Sequence, residues 1–129
     1  MDMDVKRTIA VVDDNPDIMK ILKAVLENKG FSVLCASSGE EMFNLLEEYR
    51  PDLIILDVMM PKMDGMEVLT RLRQNPETSS IRVILMTAKN KYEDVLNGYG
   101  LGTDYYLTKP FTSSQLLNGI NLVLNEHQR

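Results

Sequence analysis

The chain carries one cysteine and one histidine among 129 residues, and it has neither a cluster of basic residues nor a long apolar run. Each shortage removes a class of function. A lone thiol, Cys35, excludes an internal disulfide and a cysteine-rich zinc site. The lone histidine, His127, is too isolated to serve as a ligand or a phosphodonor. The 14 Lys and Arg residues are scattered and the net charge is -5, which argues against direct nucleic-acid binding. A phosphate backbone needs clustered cations to displace its counterions. No apolar stretch approaches the roughly 20 residues of a membrane-spanning helix, so no membrane role is expected. The start, Met1-Asp2-Met3-Asp4, is acidic where a secretory leader would be basic, and a cytoplasmic location is the expectation.

What the chain does have is a regular alternation of two periods. Short apolar runs, Thr8 to Val12, Phe31 to Cys35, Leu53 to Leu56, Ile81 to Met86 and Tyr105 to Leu107, are separated by stretches of helical spacing. Asn15 caps the first helix with Pro16 at its opening position; Ile18, Ile21, Leu22, Val25 and Leu26 form its stripe, and Gly30 stops it. Ser38 and Glu41 make a capping box before Met42, Leu45, Leu46 and Tyr49. A third helix starts at Asp64-Gly65-Met66-Glu67 and ends before Pro76. A fourth stripe is Tyr92, Val95, Leu96 and Tyr99, weakened by Gly98 and Gly100; a fifth, capped by Thr112 and Gln115, bears Leu116, Leu117, Ile120, Val123 and Leu124. Runs one, three and four are almost wholly apolar, as in parallel strands covered on both faces, whereas runs two and five read as edges. The expected fold is α/β: a doubly wound five-stranded parallel sheet in a (βα)5 three-layer sandwich.

The ends of these runs carry the chemistry. They lead into Asp13 and Asp14, Asp57, Thr87, and Lys109-Pro110-Phe111. In open α/β sheets, ligands bind at that edge. Three crowded carboxylates repel one another unless a cation sits among them. Hard oxygen donors without nearby His or Cys suit Mg2+. Asp57 is then free to act as a carboxylate nucleophile and form an acyl phosphate. Lys109 supplies a compact cation and Thr87 a hydrogen bond to a phosphoryl oxygen. Singly, each has a bland reading: acids before a helix favour its dipole, a threonine at a strand end is a turn residue, and a lysine is solvated. Their joint placement outweighs those readings. Met59, Met60, Met63 and Met66 read as loop anchors filling gaps in the core, and Cys35 as a buried strand residue.

The strings Val11-Val12-Asp13-Asp14-Asn15, Pro51 through Asp57 to Asp64-Gly65, Thr87-Ala88 and Tyr106-Leu107-Thr108-Lys109-Pro110-Phe111 resemble the receiver domain of two-component response regulators, the CheY-like family. The resemblance runs from Thr8 to about Glu126 and implies one receiver domain over residues 1–129, with core 8–126 and the flavodoxin-like strand order 2-1-3-4-5. It implies that Asp57 accepts a phosphoryl group from a phosphohistidine of a sensor histidine kinase or a histidine phosphotransfer protein. By the same resemblance Asp14 ligates Mg2+ directly, Asp13 through water, and the Met59 carbonyl completes the protein's share. Lys109 pairs with the phosphoryl group and its bond to Pro110 is expected to be cis. Thr87 moves toward the phosphoryl oxygen and Tyr106 turns inward. The change is read on the face formed by the fourth helix, fifth strand and fifth helix, by an output partner the sequence does not name. Phosphorylation-dependent dimerisation is left open.

Met59 and Lys89 occupy positions that tune the hydrolytic water in this family, which points to a moderately long-lived phosphoform. Gly100-Leu101-Gly102-Thr103-Asp104 departs from the small, alanine-rich residues usual there and suggests a looser switch face. The expected role is a switch that catalyses only its own phosphorylation and dephosphorylation. An aspartyl-nucleophile phosphohydrolase would need a second acid where Met59 stands, and a flavin carrier would not place acids in its first loop. A stand-alone regulator and a receiver within a longer protein bearing a DNA-binding or enzymatic output domain both fit.

Overall fold

Strands that must be covered on both faces can hold apolar side chains at successive positions, and three strands here do so except at their ends. The structure, a computed structural model, describes residues 6–60, 65–88 and 102–126. Its sheet contains β1 (Thr8–Val12), β2 (Ser32–Ala36), β3 (Leu53–Asp57), β4 (Arg82–Ala88) and β5 (Tyr105–Lys109). All neighbours pair in parallel, in the order β2-β1-β3-β4-β5. Central β1, β3 and β4 are buried almost throughout, and the two edge strands are only partly so. This is the doubly wound, flavodoxin-like arrangement expected.

The helices are α1 (Pro16–Asn28), α2 (Gly39–Leu46), α3 (Gly65–Gln74) and α4 (Ser113–Glu126). The stripe from Tyr92 to Tyr99 lies outside the described residues, so α4 is the helix that Thr112 caps. One core packs Met42 of α2 and Val68, Leu69 and Leu72 of α3 against Ala10, Ile54, Leu56, Val83 and Leu85. The other packs Leu22 and Leu26 of α1 and Leu116, Ile120 and Val123 of α4 against Ile9, Val11, Ile55, Ile84 and Met86. Successive strand residues alternate between these cores, as the pleat requires.

The caps form as the side chains dictate. Asn15 Oδ1 accepts the N–H groups of Asp17 at 2.9 Å and Ile18 at 3.3 Å. Ser38 Oγ accepts the Glu41 N–H, while Glu41 reaches back to the Ser37 N–H. Thr112 and Gln115 cap reciprocally. Each such cap contributes about 1 kcal/mol. Gly30 follows α1 with φ of 95°, the left-handed turn glycine tolerates best.

Four side chains differ from expectation. Cys35 is half-buried, because β2 has no neighbouring strand on its outer side. Burial pushes its thiol pKa up. Tyr49 is exposed, since α2 ends at Leu46 and the next turn closes on the Leu45 carbonyl. Ile21 is 62% exposed beside an apolar groove of about 540 Å³ whose walls include Ile18, Ala88, Lys109 and Phe111. Met59 is exposed while Met60 is buried, so only the second anchors its loop.

Candidate functional site

Parallel pairing puts the last residues of β1, β3, β4 and β5 at one edge of the sheet. Asp13 follows β1 directly and is 2% exposed. Its backbone N–H donates to the Ala36 carbonyl at 3.1 Å, and its Oδ1 accepts the Asn15 N–H at 2.9 Å. That second bond turns the chain into α1. Its Oδ2 accepts from Lys109 Nζ at 3.1 Å. Asp57 ends β3 and is 5% exposed; its Oδ1 accepts from Lys109 Nζ at 3.4 Å and from the Met59 N–H at 3.3 Å. Asp14 stands exposed at the rim.

Carboxylate oxygens of Asp13, Asp14 and Asp57 lie within 4.8 Å of one another. Of these three acids, two are bonded to the one ammonium of Lys109. Burial, and then Asp13, push the Asp57 carboxyl pKa up; Lys109 and the Met59 N–H oppose the shift. Hard oxygen donors at this spacing fit a small divalent cation, which would relieve the surplus charge. The Lys109-Pro110 peptide bond is cis.

Thr87 is 1% exposed, and its Oγ1 has no hydrogen-bond partner among the described residues. A buried hydroxyl left unpaired costs about 1–3 kcal/mol. Such a group at a ligand-binding edge is suited to an incoming acceptor oxygen. β4 pairs with β5 so that Leu85 faces Tyr106 and Thr87 faces Thr108. Tyr106 packs partly buried against the core that contains Leu85. Thr87 and Tyr106 thus share one side of the sheet on adjacent strands.

Asp13, Asp14, Asp57 and Lys109 are brought together as the sequence led us to expect; Lys89 lies outside the described residues. The sequence reading missed the reason for Gly65, which appeared there only within a helix-start motif. A Cβ at Gly65 would lie 2.6 Å from the Asp57 carbonyl oxygen and 2.7 Å from Val58 Cα. Its N–H donates to the Val58 carbonyl at 2.9 Å. The first turn of α3 is therefore seated on the backbone that carries Asp57. The available signal was a glycine in a helical turn, where a stronger helix former would otherwise be favoured.

A cluster of three acids at the carboxyl edge of a doubly wound sheet in this strand order is the architecture of flavodoxin-like receiver folds. The chain belongs to the response regulator receiver domain family, whose model matches residues 9–121. It is 39% identical over 122 residues to the alkaline phosphatase synthesis transcriptional regulatory protein PhoP of Bacillus subtilis (strain 168), covering 95% of this chain and 50% of PhoP. The chain spans about half the length of the curated relatives it matches. A two-component response regulator from Clostridium difficile superimposes with a TM-score of 0.89 at 27% identity, over 96% of this chain and 100% of that one. The receiver domain of the sensor histidine kinase PA1611 from Pseudomonas aeruginosa PAO1 gives 0.84 at 26% identity, over 94% and 99%. That structure holds a magnesium ion coordinated in its active-site cleft.

Proposed function

We propose that this receiver is a phosphorylation-activated switch whose acceptor is Asp57. The observation that carries the reading is a buried carboxylate bonded to Lys109, crowded by two further acids and accompanied by the unpaired hydroxyl of Thr87. Asp57 attacks phosphorus as the N–P bond of a donor phosphohistidine breaks, and the imidazole leaves. The product is an acyl phosphate on Asp57, which water later returns to carboxylate and inorganic phosphate. Asp13, Asp14, Asp57 and the Met59 carbonyl would hold Mg2+, which neutralises charge on the phosphoryl oxygens when bound. Lys109 gives up its bond to Asp57 and pairs with the new dianion. Thr87 donates to a phosphoryl oxygen, and Tyr106 follows into the space this opens, a local charge event biasing a two-state element.

The donor is a sensor histidine kinase or a histidine phosphotransfer protein, in the cytoplasm. The output surface comprises β5 and α4; the fourth helical stripe, Tyr92 to Tyr99, expected to join them, lies outside the described residues. PhoP, matched over half its length, favours a longer regulator as the native setting. Exposed Met59 beside Asp57 and a long Lys89 would impede the hydrolytic water and lengthen the life of the phosphoform; rapid decay of the adduct would refute this.

The deciding experiment is incubation with acetyl phosphate and Mg2+, followed by intact-mass measurement. Wild type should gain one phosphoryl group and Asp57→Asn none. An adduct persisting in that variant, or none forming on wild type, overturns the assignment.

A further inference from the structure

The opposite edge of the sheet holds a second polar cluster. Arg73, in the last turn of α3, donates Nε–H to the Gly102 carbonyl at 2.9 Å. Its Nη1 donates to the carbonyls of Ser79 at 3.0 Å and Ile81 at 2.7 Å, and its Nη2 to Asp104 Oδ2 at 3.3 Å. Asp104 also accepts from Arg82 Nη1 at 3.0 Å and from the Val83 N–H at 2.8 Å. Gly102 has φ of 98°, and a Cβ there would lie 3.1 Å from Arg73 Nε. The guanidinium thus presses against the turn that begins β5. Within the segment expected to be loose, the Arg73 and Arg82 side chains bond Gly102 and Asp104; Gly98 and Gly100 lie outside the described residues.

α3 is fixed at both ends. Gly65 is seated on the Asp57–Val58 backbone, and Thr78 Oγ1 donates to the Leu72 carbonyl at 2.7 Å. Between them Val68, Leu69 and Leu72 are fully buried. A ten-residue helix is about 15 Å long. Beyond the latch, the Tyr105 ring lies over Gly119 of α4, where a Cβ would come within 2.7 Å of it.

We propose that Arg73 is a positioning residue: its fork, closed on Gly102 and Asp104, makes α3 a rigid connection between the Asp57 turn and the start of β5. Phosphorylation then moves Tyr105 and Tyr106 through α3 as well as through Thr87. This rests on Asp57 being the phosphoacceptor. A bidentate planar cation suits the task because it fixes direction as well as distance.

Hydrogen exchange on the full chain, with and without acetyl phosphate and Mg2+, tests the connection. Wild type should change protection both around Val58 and around Gly102 to Tyr106. Arg73→Met should keep the first response and lose about half or more of the second, since coupling through a removed contact must fall. Arg73→Lys, which keeps the charge without the fork, should fall between them. An undiminished response at Gly102 to Tyr106 in Arg73→Met overturns the proposal. So does a phosphorylated wild type that responds only around Val58, which would leave the Asp57 assignment standing. Absence of any adduct on wild type removes both. Should Arg73→Met fail to fold, Asp104→Asn weakens the same latch and faces the same two outcomes.

Discussion

At the carboxyl edge of the sheet three carboxylates cluster and two of them share one ammonium, whereas at the amino edge two guanidiniums share one carboxylate. At the amino edge the Arg73 guanidinium is closed on Asp104 and on three backbone carbonyls. The carboxyl-edge groups leave surplus negative charge and, among the described residues, an unpaired hydroxyl. Both clusters are partly buried and both hold β5, through Lys109 at its end and Asp104 just before its start. A satisfied cluster stabilises the fold; an unsatisfied one is costly until a ligand completes it.

Substitution should separate the two edges. The largest effect is expected at the amino edge. Asp104→Ala removes the one carboxylate shared by two guanidiniums and the acceptor of the Val83 N–H, and should lower unfolding free energy by about 3 kcal/mol in urea titrations. A loss no greater than that of a surface substitution would break the contrast. Gly65→Ala comes next. The added methyl cannot fit against the Asp57 carbonyl, so about 2 kcal/mol of stability should go, together with a slower rate of adduct formation. Unchanged phosphorylation kinetics would show that the seat of α3 does not matter to Asp57.

Mg2+ should stabilise wild type by about 1.4 kcal/mol at ten times its Kd. Thermal melts should show this shift shrink in Asp57→Asn and persist in Arg73→Met. The smallest effect is the pH dependence of Asp57 itself. Its folded pKa is raised, so the folded state holds the proton more tightly than the unfolded chain. Metal-free wild type should therefore lose stability relative to Asp57→Asn as pH rises from about 4 through the raised value, and the gap should close below about 4. A gap that widens in acid would mean the carboxylate is stabilised by Lys109 more than burial penalises it.

The carboxyl edge was legible in the sequence because strand ends are local signals. An apolar run that ends at an acid or a hydroxyl marks Asp13, Asp57 and Thr87 as strand ends without knowledge of neighbours, and parallel pairing brings them together. Caps at Asn15, Ser38 and Thr112 were readable for the same reason. The amino-edge latch was not, since Arg73 and Asp104 stand 31 residues apart and look like any surface charges. Ile21 and Tyr49 misled because helical spacing reports which side of a helix is apolar, not whether a neighbour covers it. Gly65 was visible as a residue but not as a role, which depends on what a missing Cβ would strike.

Lys109 and Asp13 are 96 residues apart, and their contact joins the last strand to the turn after the first. A chain emerging from the ribosome therefore displays its acids long before the ammonium that pairs with them exists. On the proposed reading, a nascent domain that lacks β5 would carry the acceptor Asp57 without the cation that pairs with its phosphoryl group.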